Sequence, residues 1–184
     1  MGKYILIGIT GCGKSAIGRR AAETLKMPFF EIAKMAARRL KFKDPKDVFK
    51  RYGMERVLNE QYLAAGELAE REGPGIIEIW PENVLIPRFA TMIKKVGTVI
   101  YIQRDTELVI AMMKKSESRM MLRDNKTGRE IDPRILSVTE YAEEASSFEA
   151  LADLTLENNG SEDEGLEKLV AMIRERESVG ENKS

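Results

Sequence analysis

The 184-residue sequence contains no histidine and only one cysteine, Cys12. Without histidine, the chain lacks the side chain that most often acts as a general base or a metal ligand near neutral pH. A single cysteine excludes both an internal disulfide and a cysteine metal cluster. Acid–base chemistry and metal binding must therefore depend on carboxylates, lysines and hydroxyl groups.

Net charge and long apolar runs are missing as well. The 30 lysines and arginines balance the 30 aspartates and glutamates, so no overall field favours nucleic acid or an anionic membrane. No apolar run is long enough to span a membrane, and the first residues lack the pattern of a signal peptide. We therefore expect a cytoplasmic protein that binds neither nucleic acid nor membrane. No pattern in the sequence indicates an oligomeric state.

Short apolar segments alternate with segments of helical spacing along most of the chain. The predicted strands cover residues 4–9, 28–32, 76–80, 98–103 and 154–156. Helical spacing predicts, among others, a mostly helical stretch over residues 48–72, a helix over residues 83–95 and a final helix over residues 163–175. This alternation predicts an α/β fold, with a five-stranded parallel sheet, helices on both faces and a ligand crevice at the carboxyl ends of the strands. We expect a single domain over residues 1–177, followed by a flexible tail over residues 178–184.

A polar segment interrupts this alternation at about residues 114–133. It carries both charge signs and includes the turn-forming run Asn125-Lys126-Thr127-Gly128. We interpret this segment as a mobile lid over the crevice.

The segment Gly8 to Ser15, with the sequence GITGCGKS, fits the pattern GxxxxGK[ST] and lies between a predicted strand and a predicted helix. Glycines allow backbone N–H groups to surround a phosphate, and a helix N-terminus adds partial positive charge. The pattern predicts a three-layer P-loop NTPase fold that binds ATP and Mg²⁺. Lys14 would bridge the terminal phosphates, and the Ser15 hydroxyl would bind Mg²⁺. The predicted nucleotide-binding residues of this loop are Gly11, Cys12, Gly13, Lys14, Ser15 and Ala16.

Glu78 ends the third predicted strand and therefore lies at the predicted crevice. It could face Mg²⁺ or its water shell, or it could act as a general base that accepts the proton of an acceptor hydroxyl. Trp80, two residues later, could stack on a ring-shaped substrate or pack beneath the lid. The sequence leaves both pairs of alternatives open.

Several motifs together resemble the shikimate kinase family in order and spacing. They are the P-loop with Gly18-Arg19-Arg20, the second strand 28–31, the segment Arg119-Met120-Met121-Leu122 and the pair Ala152-Asp153. The resemblance spans nearly the whole chain and implies an ATP-dependent phosphotransferase that acts on a small-metabolite hydroxyl or phosphate. It also implies that Glu31 helps to hold Mg²⁺, and that Arg119 meets the ATP phosphates when the lid closes.

The acceptor side departs from the pattern of that family. Ala33, Leu58 and Glu144 stand where the family has residues that bind the substrate hydroxyls and carboxylate, and Ile79-Trp80-Pro81 replaces a triple glycine. Each replacement removes a polar contact or adds bulk, which disfavours a dihydroxy acid. We therefore expect a small-molecule acceptor other than shikimate. The alternative is a catalytically degenerate ATP-binding protein with a regulatory or scaffold role.

Overall fold

The structure is a computed structural model that describes residues 2–115, 122–123, 130–131, 138–140 and 142–181. The strands are β1 (Lys3–Ile7), β2 (Phe29–Glu31), β3 (Gly75–Glu78), β4 (Thr98–Gln103), β5 (Leu122–Arg123), β6 (Glu130–Ile131) and β7 (Leu154–Glu157). The helices are α1 (Lys14–Leu25), α2 (Ile32–Arg39), α3 (Pro45–Glu70), α4 (Pro81–Val84), α5 (Pro87–Val96), α6 (Thr106–Lys115), α7 (Ala145–Leu151) and α8 (Glu162–Glu181).

Five strands form one parallel sheet in the order β2-β3-β1-β4-β7. Consecutive residues are buried in β1 and β4, so both faces of the sheet are covered, as a parallel sheet requires. Helix α1 packs against α8, α3 packs against α5, and α7 packs on β4. The predicted α/β fold with a five-stranded parallel sheet is confirmed. All parallel strands end at one edge, where the crevice lies.

Helix α3 begins at a clear capping signal and is interrupted at a glycine. The Asp44 side chain accepts a hydrogen bond from the backbone N–H of Lys46 (2.8 Å), and Pro45 occupies the first helical turn. Gly53 has φ 80° and ψ 175°, values that no residue inside a helix adopts. The stretch predicted as mostly helical over 48–72 is therefore two helical segments joined at Gly53.

Two other helices differ from the sequence-based prediction. The segment expected as a single helix over 83–95 forms α4 and α5, because Pro87 cannot continue a helix and instead begins α5. Helix α8 extends beyond its predicted end to Glu181, into the segment predicted as a tail. Near this end the Glu177 carboxylate accepts hydrogen bonds from the backbone N–H of Gly2 (2.7 Å) and from the Tyr4 hydroxyl, which fastens the helix to β1.

The apolar interior is divided into two unequal parts. The main core surrounds the parallel sheet and includes residues of all five strands and of most helices. A smaller cluster lies between α2 and α3 and consists of Ala37, Val48, Val57, Leu40, Phe42 and Trp80. We call this smaller group the α2–α3 cluster. Across the described ranges, every helix is too short or too polar to cross a bilayer.

Most of the predicted lid, about residues 114–133, lies outside the described residues. Its described parts include β5 and β6, which form a separate antiparallel pair with Leu122 opposite Ile131. Arg119, predicted to reach the ATP phosphates, lies outside the described residues.

Candidate active site

The P-loop joins β1 to α1 at the carboxyl edge of the sheet. Gly11 and Gly13 have φ values of 83° and 105°, which favour glycine and allow the loop its tight turn. The Lys14 side chain is buried, and its ammonium group donates hydrogen bonds to the carbonyls of Gly8 (2.8 Å) and Ile9 (2.9 Å). The loop carbonyls thus hold the lysine inside the loop and satisfy its charge.

Ser15 contacts a carboxylate from the neighbouring strand. Its hydroxyl donates a hydrogen bond to Oε1 of Glu78, at a distance of 2.5 Å. Because β3 lies directly beside β1, the last residue of β3 comes next to the first turn of α1. Both residues line a cavity of about 490 Å³. The structure therefore joins two residues that are 63 positions apart in sequence and that were predicted separately.

Glu31 lies next to Glu78 in the register between β2 and β3. Two cations hold its carboxylate: Arg19 at 3.0 Å and Lys34 at 2.8 Å. Burial alone raises the pKa of Glu31, but the hydrogen bonds and charges of Lys34 and Arg19 outweigh burial and hold the pKa below its ordinary value. Glu31 is therefore ionised and already paired at neutral pH.

Asn158 fixes the P-loop from below, and the sequence did not identify this contact. The side chain is 2% exposed, and its Nδ2 donates a hydrogen bond to the carbonyl of Cys12 (2.8 Å). A Cβ atom on Gly13 would lie 2.5 Å from the same Nδ2, and one on Gly165 would lie 2.2 Å from Oδ1. The two glycines thus leave the space that the amide fills. No motif marks this asparagine, because the contact depends on how the β7–α8 connection folds against the loop.

Cys12 is fully buried beneath the loop. Its backbone N–H donates to the carbonyl of Ile9 at 3.3 Å, inside the loop. Gly11, Gly13, Lys14, Ser15 and Ala16 line the 490 Å³ cavity together with Glu78. Most of the predicted nucleotide-binding residues therefore meet at one site, with Cys12 packed under it.

The far wall of this cavity is formed by Trp80, Pro81 and Glu82. Trp80 also packs against the α2–α3 cluster, so its indole belongs partly to the apolar interior. Among the residues that depart from the family pattern, Ala33 and Ile79 are buried, Leu58 is half-buried and Glu144 is exposed. The acceptor side thus presents apolar and acidic groups at these positions.

Arg56, near the position where the family has a carboxylate-binding arginine, forms an internal ion pair. Its guanidinium lies 2.8 Å from Oε1 of Glu60, a carboxylate with 5% side-chain exposure. The other oxygen of Glu60 accepts from Nε of Arg39 at 2.9 Å, and Arg39 also pairs with Glu67. One buried carboxylate thus engages two of the arginines of α2 and α3, Arg39 and Arg56.

The described residues contain no group of three or more cysteine, aspartate or glutamate side chains able to hold a metal by themselves. The Ser15 hydroxyl and the Glu78 carboxylate are nevertheless hard oxygen donors of the type that Mg²⁺ prefers. Mg²⁺ in kinases is usually held by one or two protein oxygens together with substrate phosphates and water. The donor pair fits an Mg²⁺ ion that arrives with a nucleotide.

Comparisons with known proteins agree with this architecture. The family model described as shikimate kinase matches residues 10–174. The chain is 32% identical to the shikimate kinase of Pelotomaculum thermopropionicum over 126 residues, which is 66% of this chain and 70% of that protein. It is 29% identical to the shikimate kinase of Desulforudis audaxviator over 175 residues, covering 95% and 86%.

The fold is similar to that of solved members. A crystal structure of shikimate kinase from Bacteroides thetaiotaomicron superposes with a TM-score of 0.74 at 16% identity, covering 94% of this chain and 98% of the other. The likeness in fold, the intact P-loop and the match over nearly the whole sequence all agree. The chain belongs to the shikimate kinase family and is a small-molecule kinase.

Proposed function

We propose that the protein transfers the γ-phosphoryl group of ATP, in the presence of Mg²⁺, to a hydroxyl or phosphate of a small metabolite other than shikimate. Use of ATP follows from the family; the Mg²⁺ requirement and the nature of the acceptor are the proposal. The hydrogen bond between Ser15 and Glu78, at the mouth of an intact P-loop, is the observation that carries it.

Lys14 and Ser15 would bind the terminal phosphates and the metal. Lys14 would exchange its present carbonyl partners for phosphate oxygens, because a charged acceptor gives a stronger hydrogen bond. Bound Mg²⁺ neutralises charge on the transferring phosphates. The direct contact with Ser15 favours Glu78 as the carboxylate on the metal side. Glu31 remains the alternative and lies one strand away.

The position of Glu78 also supports its alternative role as a general base. Its carboxylate lines the cavity that would contain the acceptor hydroxyl, and Trp80 and Glu82 form the opposite wall. In either role the residue orients the reacting groups and involves no covalent intermediate. Positioning and charge neutralisation are the main sources of rate enhancement in phosphoryl transfer.

The acceptor side supports a substrate that differs from shikimate. An acid would need a free cation to meet its carboxylate, and Arg56 and Arg39 are both engaged by the buried Glu60. Leu58 and Glu144 replace the remaining carboxylate contacts of the family. A dihydroxy acid bound against these residues would lose its contacts with water without gaining partners for its carboxylate and hydroxyl groups, which weakens its binding.

An ADP-release screen tests the proposal. ATP and Mg²⁺ are offered with shikimate, sugar acids, polyols, nucleosides and nucleoside monophosphates, and the Lys14→Ala variant serves as the control. We expect turnover of an acceptor other than shikimate and none with the variant. Turnover that survives in the variant would contradict the mechanism, and efficient turnover of shikimate would contradict the acceptor assignment.

The alternative role as an ATP-binding regulatory protein is supported by the same acceptor-side changes. The screen separates the two roles. ATP binding without turnover of any acceptor would favour the regulatory role over the kinase role.

A further inference from the structure

The parallel sheet has an open edge at β7. This strand is the last in the sheet order, and among the described residues it pairs with β4 alone. On an edge strand, alternate backbone N–H and C=O groups point away from the sheet, and such an edge readily accepts another protein chain. The Lys168 ammonium group donates to one carbonyl of β7, that of Glu157, at 3.2 Å.

A groove of about 610 Å³ lies between β7 and helix α8. It shares no lining residue with the 490 Å³ cavity, so it is separate from the P-loop site. The apolar part of its lining consists of Leu154, Leu156, Ala171, Met172 and Val179. Val179 is 47% exposed and Ala171 is exposed as well. Apolar side chains beside an open strand edge are typical of a surface that binds another protein.

The charged residues of the groove divide between its two ends. Glu157 and Lys168 lie together at one end, and Glu175 and Arg176 follow further along α8 at the other. Neither Glu175 nor Arg176 forms an ion pair with any other residue in the part of the chain that the structure describes. Each end of the groove thus presents one acid and one base.

This arrangement of charge is complementary to itself when the groove is turned end to end. Lys168 stands three residues before Ala171, and Glu175 stands three residues after Met172. If two copies of α8 pack antiparallel about a twofold axis between Ala171 and Met172, each Lys168 faces Glu175 of the second copy. The same rotation brings the Glu157 end of each groove against the Arg176 end of the other.

We propose that the β7–α8 groove is the interface of a homodimer with twofold symmetry, in which the two α8 helices pack antiparallel. A twofold interface must bring the same surface of both subunits together, and the two ends of this groove meet that requirement in charge. The apolar residues Ala171 and Met172 lie at the axis, and the second copy covers the open edge of β7. The pairing does not depend on which acceptor the kinase phosphorylates.

Sedimentation velocity measures the association directly. We expect the wild type to change from monomer to dimer with a Kd on the order of 10 µM, because one helix and one short strand form a small interface. Lys168→Glu and Glu175→Lys each place like charges opposite one another twice and should weaken dimerisation at least about tenfold. Arg174→Glu changes the net charge as much as Lys168→Glu, but at an exposed residue of α8 outside the groove, and should dimerise as the wild type does.

An equal mixture of Lys168→Glu and Glu175→Lys tests the predicted pairing itself. In the mixed dimer both contacts again join opposite charges, so the mixture should regain the association that each variant alone has lost. Ala171→Glu gives a second test, since at the axis each added carboxylate meets its own copy, and this variant should be monomeric. Urea unfolding verifies that every variant is folded.

A wild type that stays monomeric up to about 200 µM, well above the expected Kd, would overturn the proposal. Folded variants that dimerise as strongly as the wild type would overturn it as well. A mixture that remains monomeric would show that Lys168 and Glu175 do not meet across the axis, and would contradict the proposed interface.

Discussion

The two sides of the crevice at the strand ends, the P-loop side and the α2–α3 side, are built in different ways. On the P-loop side, the functional groups are fixed by buried contacts: Lys14 is held by loop carbonyls, and Asn158 fills a space between two glycines. On the α2–α3 side, a small apolar cluster and a chain of arginine–glutamate pairs hold the helices, and several of these side chains are half exposed.

This difference explains how one side can keep its chemistry while the other changes. Replacing a P-loop residue disturbs backbone geometry that is fixed by the main core. The α2–α3 cluster is separate from that core, so a substitution at Trp80, which belongs to the cluster and lines the cavity, can alter the wall without disturbing the sheet. The donor side can therefore keep its ATP-binding groups while the acceptor side binds a different substrate.

The largest expected effect is on the P-loop side. Lys14→Ala removes the cation that meets the transferring phosphates, and we expect kcat with the best acceptor to fall about 10³-fold. The measurement is steady-state ADP release at saturating ATP. Lys41→Ala, an exposed lysine outside the cavity, is the control and should retain wild-type activity. A loss below tenfold for Lys14→Ala would mean that the P-loop is not the donor site.

The second prediction compares the two carboxylates at the strand ends. Glu78→Gln keeps the shape and the acceptor for Ser15 but removes the charge, so we expect about a 10²-fold lower kcat and a higher Mg²⁺ requirement. Glu31→Gln is the matched control. We expect it to lower kcat by less than about threefold, because Arg19 and Lys34 already engage that carboxylate. The reverse order, read from Mg²⁺ titrations of kcat, would assign the metal to Glu31.

The third prediction concerns the support of the loop. Asn158→Ala removes the donor to the Cys12 carbonyl and leaves a cavity beside Gly13, so we expect ATP affinity to fall about tenfold. Asn158→Asp keeps the volume but loses the donor, and a comparable loss would identify the hydrogen bond as the cause. Calorimetric titration measures both. Unchanged affinity in both variants would show that the contact does not position the loop.

The smallest expected effect lies on the α2–α3 side. Glu60→Gln removes the negative charge that pairs with Arg39 and Arg56. We expect the free energy of unfolding to fall by about 1 kcal/mol. This is less than for a fully buried ion pair, because both arginines are partly exposed. ATP affinity should not change. Glu67→Gln, which removes an exposed partner of Arg39, should have a smaller effect in urea unfolding. A change in ATP affinity with Glu60→Gln would contradict the claim that the α2–α3 side and the P-loop side are independent.

The sequence predicted the fold and most of the donor site because both depend on local sequence patterns. Alternating strands and helices imply the parallel sheet, and the string from Gly8 to Ser15 encodes the phosphate loop within eight consecutive residues. Glu78 could be proposed because it ends a strand, and parallel strands end at one edge. The resemblance to shikimate kinases, carried by motifs along the chain, was confirmed by the family match.

The sequence did not predict contacts that arise from packing between distant segments. Asn158 reaches the P-loop only because the connection after β7 folds beside it, and it belongs to no motif. The pairing of Arg56 with Glu60 is an i, i+4 contact that a helix allows, but burial of Glu60 depends on α2. The break at Gly53 also escaped prediction, since one glycine inside a helical pattern often remains helical.

The central claim is that the donor side is retained and the acceptor side is changed. Calorimetric titration of one protein sample, first with ATP and Mg²⁺ and then with shikimate, tests both parts directly. The account predicts clear binding of the nucleotide and no detectable heat from shikimate at concentrations up to about 1 mM, which corresponds to a binding free energy weaker than about 4 kcal/mol. Micromolar binding of shikimate to the nucleotide-loaded protein would contradict it.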